Sequence, residues 1–133
     1  MTNSVTEASV NLSPEELASA NRLLANYARF VDNKKGPQWQ ALFGRSGFLA
    51  VGDRKVTGDE LAEFAVGSMP GVHIQAVPHF ERRPDGSVRA ESSFIFVAVA
   101  DCAIRSGYYI DELVIEDGEY VFASRTIDMR ARN

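Results

Sequence analysis

Residues 105–129 read RSGYYIDELVIEDGEYVFASRTIDM, two strand-like runs of about ten residues on either side of Asp117-Gly118. A two-residue type I′ turn needs positive φ at both central positions, and Asp-Gly is a pair that tolerates it. On the first run Tyr109, Asp111, Leu113 and Ile115 fall on one face, and Tyr108, Ile110, Glu112 and Val114 on the other. Neither face is wholly polar. Such a sheet needs cover on both sides, so helices are expected on one face and a partner surface on the other.

The rest of the chain is consistent with one domain built around that hairpin. Its 133 residues suffice for a hydrophobic core without disulfide or metal staples. A formal net charge of −4 argues against a protein that neutralises phosphates, so nucleic acid is not an expected partner. The single cysteine, Cys102, cannot form an internal disulfide, and no Cys/His cluster has zinc-ligand spacing, so neither a metal nor another cofactor is expected. Reducing cytoplasm is the expected compartment. The polar start MTNSVTEASVN lacks the basic and apolar regions of a signal peptide, and no apolar run approaches the roughly 20 residues that cross a bilayer.

Residues 1–12 read as a disordered or loosely docked tail, and 13–133 as the domain. Ser13-Pro14-Glu15-Glu16 opens a helix with a capping residue, a proline suited to the first turn and a capping-box glutamate. Leu17, Ala20, Leu24, Tyr27 and Val31 recur at helical spacing, and Lys34, Lys35 and Gly36-Pro37 end the pattern. A short second helix is expected over 37–43, a strand over 48–51, a turn at Gly52-Asp53 and a third helix over 59–66. From Val72 the period becomes strand-like, giving expected strands at 72–82, 88–100, 103–115 and 120–129. Pro84-Asp85-Gly86 supplies the first hairpin turn, whereas the turn near Asp101-Cys102 lacks a glycine, which leaves its register open. Helices followed by an antiparallel sheet define an α+β fold.

Several residues in that order carry a resemblance. They are Tyr27-x4-Asp32, Trp39-x2-Leu42-Phe43, Gly58 before the third helix, His73 opening the long strands, Gly107-x-Tyr109-x-Asp111 and Tyr120-x4-Arg125. Together they resemble the SnoaL-like branch of the nuclear transport factor 2-like, or ketosteroid isomerase-like, superfamily over residues 17–129. The resemblance implies a cone-shaped α+β barrel, with three N-terminal helices packed on a strongly curved, mainly antiparallel sheet around a deep apolar pocket. It also implies a homodimer or higher homo-oligomer through the outer sheet face. Members include polyketide cyclases, dehydratases, isomerases, dehydrochlorinases and epoxide hydrolases, besides proteins with no chemistry. The acids that bracket an arginine in the epoxide-opening members have no clear counterpart here.

Asp32 falls at the C-terminal end of the first helix, where the macrodipole disfavours an anion. Either it is a solvated loop residue beside Lys34 and Lys35, or it orients the His73 imidazole. The resemblance favours the second, because dehydratase-like and dehydrochlorinase-like members carry an Asp–His dyad at matching positions. His73 shares a strand face with Gln75, Val77, His79 and Glu81 and is the preferred general base, His79 being roughly 20 Å further along an extended strand. Tyr27 is either a core residue or a pocket hydroxyl that polarises a carbonyl. Tyr109 and Asp111 line the pocket or belong to an interface, and Asp111 can pair with Arg125 if the hairpin register allows. Trp39, Phe43, Phe48 and Met69 offer apolar surface to a ligand, and Ser92 or Ser93, of which Ser93 is preferred, offers a hydrogen bond. The reading is a cofactor-independent lyase or isomerase acting on a small apolar ring compound, with Asp32 and His73 as its base. Its rival is a noncatalytic small-molecule-binding or assembly module. An open cavity with the two residues in hydrogen-bond reach favours the first, and a filled cone the second.

Overall fold

The computed structural model describes residues 12–129. Chain order gives α1 (Pro14–Asp32), α2 (Gly36–Gln40), β1 (Phe43–Val51), β2 (Arg54–Thr57), α3 (Glu60–Val66), β3 (Gly71–Gln75), β4 (His79–Arg82), β5 (Val88–Ala98), β6 (Ile104–Glu116) and β7 (Glu119–Asp128). Three helices packed on a mainly antiparallel sheet form the expected α+β arrangement. The strand order is β2-β1-β7-β6-β5-β3, with β4 also on β5, and β1 runs parallel to β7. The two sheet edges do not pair with each other, so the cone is open rather than a closed barrel. α1 packs against both β7 and β3, on either side of β6 and β5, so the sheet curls around the helix.

Ser13 builds the expected capping box, its Oγ accepting from the Glu16 N–H at 3.1 Å while its own N–H donates to Glu16 Oε1 at 2.8 Å. The expected tail lies outside the described residues except for Leu12, which is 4% exposed and belongs to the core. Leu12 occupies the position before the cap, and Leu17, also packed on the core, the fourth helical position, the two places of a hydrophobic staple. At the other end Lys34 takes φ 59°, and the N–H groups of Lys34 and Lys35 donate to Val31 O and Phe30 O. This is a Schellman closure with lysine in the place usually given to glycine. The Lys34 ammonium also donates to the carbonyl and hydroxyl oxygens of Ser68, tying the helix end to the segment before β3. Asp32 is thus fixed as the last helical residue.

Four expectations change. The strand read at 72–82 is two strands, β3 and β4, because Pro78 lacks an N–H for the ladder and restricts Val77 before it. Register against β5 shifts by one residue across the break, from His73↔Phe96 to His79↔Glu91. That shift inverts the faces, so His79 and Glu81 turn outward while His73 and Gln75 face α1. The second helix stops at Gln40, and Phe43 begins a strand longer than expected. β2, whose Arg54-Lys55-Val56-Thr57 carries one buried side chain, was not anticipated as a strand. The turn after β5 is set by Cys102 at φ 60° and by Asp101 Oδ1, which accepts from the Ala103 N–H at 3.0 Å, with Val97 opposite Ile104.

Candidate functional site

Cross-strand rows on the concave face organise the site. His73, Phe96 and Arg105 form one row, Gln75, Phe94 and Gly107 the next, then Ser92, Tyr109 and Ile127, then Ala90, Asp111 and Arg125. His73, Phe96, Arg105, Phe94, Tyr109 and Ile127 from the first three rows, with Tyr27 and Val31 from α1, Val51 from β1 and Phe64 from α3, surround an apolar cavity of about 200 Å³. Met69 and Met129, each more than two-fifths exposed, stand at its mouth.

Asp32 and His73 meet at one wall. His73 Nδ1 lies 2.6 Å from Asp32 Oδ1, and the His73 backbone N–H donates to Asp32 Oδ2 at 3.0 Å. An ionised carboxylate only accepts, so in the neutral imidazole the proton belongs on Nδ1 and Nε2 carries the lone pair. The two contacts also answer the helix dipole, which leaves a C-terminal carboxylate short of donors. Side-chain exposures of 18% for His73 and 17% for Asp32 leave the pair shielded yet reachable. Phe96, at 4.7 Å between ring centroids, and the edge of Tyr27, at 6.4 Å, hold the imidazole plane.

Beneath the cavity lies a second charged pair. Arg125 Nε and Nη2 donate to Asp111 Oδ1 and Oδ2 at 2.8 and 3.1 Å, and both side chains are 0% exposed. The guanidinium lies 3.5 Å from the Tyr109 ring centroid and 4.2 Å from that of Tyr27. Burial alone would lower the Arg125 pKa, but Asp111 together with Tyr109 and Tyr27 more than offsets this and the guanidinium stays charged. Burial pushes the Tyr27 phenol up to about 12 and the Tyr109 phenol well above its ordinary value, so both keep their protons. Both rings line the cavity, and their hydroxyls interact with each other.

The residues anticipated for the site divide as follows. His73, Asp32, Tyr27, Met69 and Tyr109 come together here, Asp32 behind the imidazole and the others on the cavity wall. Trp39 is 0% exposed and sits in the core against Tyr27, Phe43 and Phe64 rather than against the cavity. Phe43 packs below with Phe122. Phe48 alternates onto the opposite face of β1, where the Lys55 ammonium lies over its ring at 4.3 Å. Ser93 likewise points to the convex face, beside a concavity lined by Ile74, Ile95 and Tyr108; Ser92 faces inward and accepts from Gln75 Nε2 at 3.0 Å. Val31, Val51, Phe64, Ser68, Phe94, Phe96, Arg105, Ile127 and Met129 complete the lining. For β5 the signal was available, since Ser92, Phe94 and Phe96 share a two-residue period.

A family model described as the SnoaL-like domain matches residues 15–126, and the chain belongs to that family. Among solved structures it is similar to Rv3472(D26N) of Mycobacterium tuberculosis, described as of unknown function, with 21% identity, a TM-score of 0.79 and coverage of 88% of this chain and 73% of that one. It is also similar to a putative scytalone dehydratase of Novosphingobium aromaticivorans, with 18% identity, a TM-score of 0.71 and coverage of 88% and 89%. LinA shares 14% identity at a TM-score of 0.74, with coverage of 86% and 85%. At these identities the likeness establishes the fold. No curated protein sequence matches.

Proposed function

We propose that the protein is a cofactor-independent lyase or isomerase acting on a small apolar ring compound. The observation that carries this reading is the 2.6 Å His73–Asp32 contact at the wall of an apolar cavity. His73 Nε2 removes a proton adjacent to a carbonyl or leaving group, while Asp32 holds the tautomer and balances the imidazolium that forms. Tyr27, a phenol that burial keeps protonated, donates a hydrogen bond to the developing oxyanion, with Tyr109 behind it. Apolar walls exclude water, which strengthens each polar contact. The SnoaL-like family, and the similarity to a putative scytalone dehydratase, support an elimination or isomerisation in preference to a transfer reaction.

The assignment extends to assembly. The convex face of β3, β5 and β6 exposes Val72, Ile74, Ile95, Ile104 and Tyr108, an apolar patch suited to a second copy of the chain.

Deuterium uptake at the acidic carbon of hydroxylated ring ketones, followed by proton NMR in D2O together with loss of water, tests the base directly. Wild-type protein should accelerate it, and His73→Ala should lower the rate about 10²- to 10⁴-fold, the usual contribution of a positioned base. Asp32→Asn should retain the cavity but lose most of the acceleration, because an amide can present its NH2 to Nδ1 and reverse the tautomer. Equal rates for wild type and His73→Ala on a ring ketone that occupies the cavity would sink the proposal.

A further inference from the structure

We infer that Arg105 is a specificity-determining residue that selects ring compounds bearing a carboxylate. This rests on the reading of the His73 cavity as the substrate site and adds the class of substrate. Arg105 stands in the same cross-strand row as His73, with Phe96 between them. Two strand spacings separate their Cα atoms by about 10 Å, a gap that one or two fused rings can bridge. Arg105 lines the cavity where Met69 and Met129 form the mouth.

Its surroundings set it apart from five other arginines; Arg29, bonded to Asn26, and Arg54, over the Phe64 ring, also lack a carboxylate partner among the described residues, but of these three Arg105 is the one that lines the cavity. Arg22, Arg82, Arg83, Arg89 and Arg125 each place a guanidinium nitrogen 2.7–2.9 Å from a carboxylate oxygen. Among the described residues Arg105 has no carboxylate partner, and its Nη1 faces the Met69 sulfur at 3.8 Å. A thioether is a weak acceptor and leaves most of the five guanidinium donors unused. An exposed cation on an apolar rim, in a protein of net charge −4, therefore offers a local contact to an anion entering from solvent. One guanidinium matches a monoanion, and the planar fork matches a carboxylate in two-point contact. The ligand's ring then enters the cavity and brings a ring substituent toward His73 Nε2.

The competing explanation is that the Arg105 stem merely covers Phe96 while its head is solvated. Titration of the full chain with cinnamate and with neutral cinnamamide, followed by proton–nitrogen NMR, separates the two. At low ionic strength wild type should bind cinnamate about five- to tenfold more tightly, with shifts at His73, Phe96 and Arg105. Arg105→Gln should abolish that preference and leave cinnamamide affinity within about twofold, and Arg105→Lys should keep part of it. Added salt should erode the wild-type preference, because the guanidinium is exposed. Equal affinities in wild type, a preference that survives Arg105→Gln, or shifts confined to other surfaces would each overturn the inference. The affinity ratio does not depend on turnover: loss of the base assignment with the preference intact leaves anion selection standing, and the reverse result removes Arg105 alone.

Discussion

Tyr27 and Tyr109 sit where a phenolate has no water to stabilise it, and this makes part of the protein's stability depend on alkaline pH. The folded Tyr27 phenol holds its proton to about 12, whereas an unfolded tyrosine ionises near its model value of 10.0. Between these values the folded state binds more protons than the unfolded state. Stability contributed by the neutral phenol is therefore full below about pH 10 and is lost as pH rises toward about 12. The shift corresponds to roughly 2–3 kcal/mol for Tyr27. Urea midpoints measured between about pH 9 and about pH 11.5 should fall steeply for wild type, and Tyr27→Phe should flatten the fall. A wild-type midpoint that stays level across this range would contradict the placement of both rings. The Asp111–Arg125 pair supplies a second residue-scale prediction. Arg125→Met leaves a buried carboxylate without its partner and should cost about 3–5 kcal/mol in denaturant unfolding. Adding Asp111→Leu to it should restore most of that loss, since the charge and its desolvation then disappear together. A double variant no more stable than Arg125→Met would show that the guanidinium's stacking on the tyrosines, rather than its charge pairing, held the site.

At the level of elements, most of the fold was legible because local signals agreed, and the errors collect where a strand changes face. Ser13-Pro14-Glu15-Glu16 and Asp117-Gly118 each specify one backbone geometry, and both formed as expected, with φ of 52° and 83° in the final turn. Extending that hairpin's register from Glu116↔Glu119 would set Asp111 opposite Ser124. One extra residue, Ala123, bulges between Phe122 and Ser124 and brings Arg125 opposite Asp111 instead. No residue type in Val121-Phe122-Ala123-Ser124 announces a bulge, so the pairing could be stated only as conditional on register. The break at Pro78 had a visible signal, yet its inversion of faces for His79 did not. Ser93 and Phe48 fell on the convex face for the same reason: a period of two distinguishes neighbours only when the phase is known. Asp32 and His73 lie forty-one positions apart; their pairing came from family resemblance, since no periodicity links a helix end to a strand that follows four further elements. Gly71 tests the element-level account. A methyl group there would lie 2.3 Å from Phe96 Cζ and 2.4 Å from the Val97 carbonyl oxygen. Gly71→Ala should therefore push the Phe96 ring off His73 and destabilise by about 1–3 kcal/mol. Nuclear Overhauser contacts between the two rings should weaken in the variant, and their persistence at wild-type strength would count against this packing.

For the whole molecule, the two faces of the sheet divide the work. The concave face carries the charged pair, the cavity and the dyad, all under α1; among the described residues no helix covers the convex face of β3, β5 and β6, which presents Val72, Ile74, Ile95, Ile104 and Tyr108. Ile74 stands opposite Ile95, and Val97 between Val72 and Ile104, so the patch is contiguous across three strands. A monomer would leave that surface in water, whereas a twofold pairing buries the same patch from both copies. Pairing would also stiffen the strands that hold His73, Phe96 and Arg105 on their other face, coupling assembly to the shape of the cavity. Sedimentation velocity at micromolar concentration should therefore give a dimer for wild type. If the patch is the twofold interface, Ile95→Lys sets like charges of the two copies against it and should yield a folded monomer with unchanged far-ultraviolet circular dichroism. In that monomer the binding of ring compounds should weaken even though no cavity residue has changed. A wild-type monomer would assign the patch to a different partner, and a dimer that tolerates Ile95→Lys would move the interface to another face.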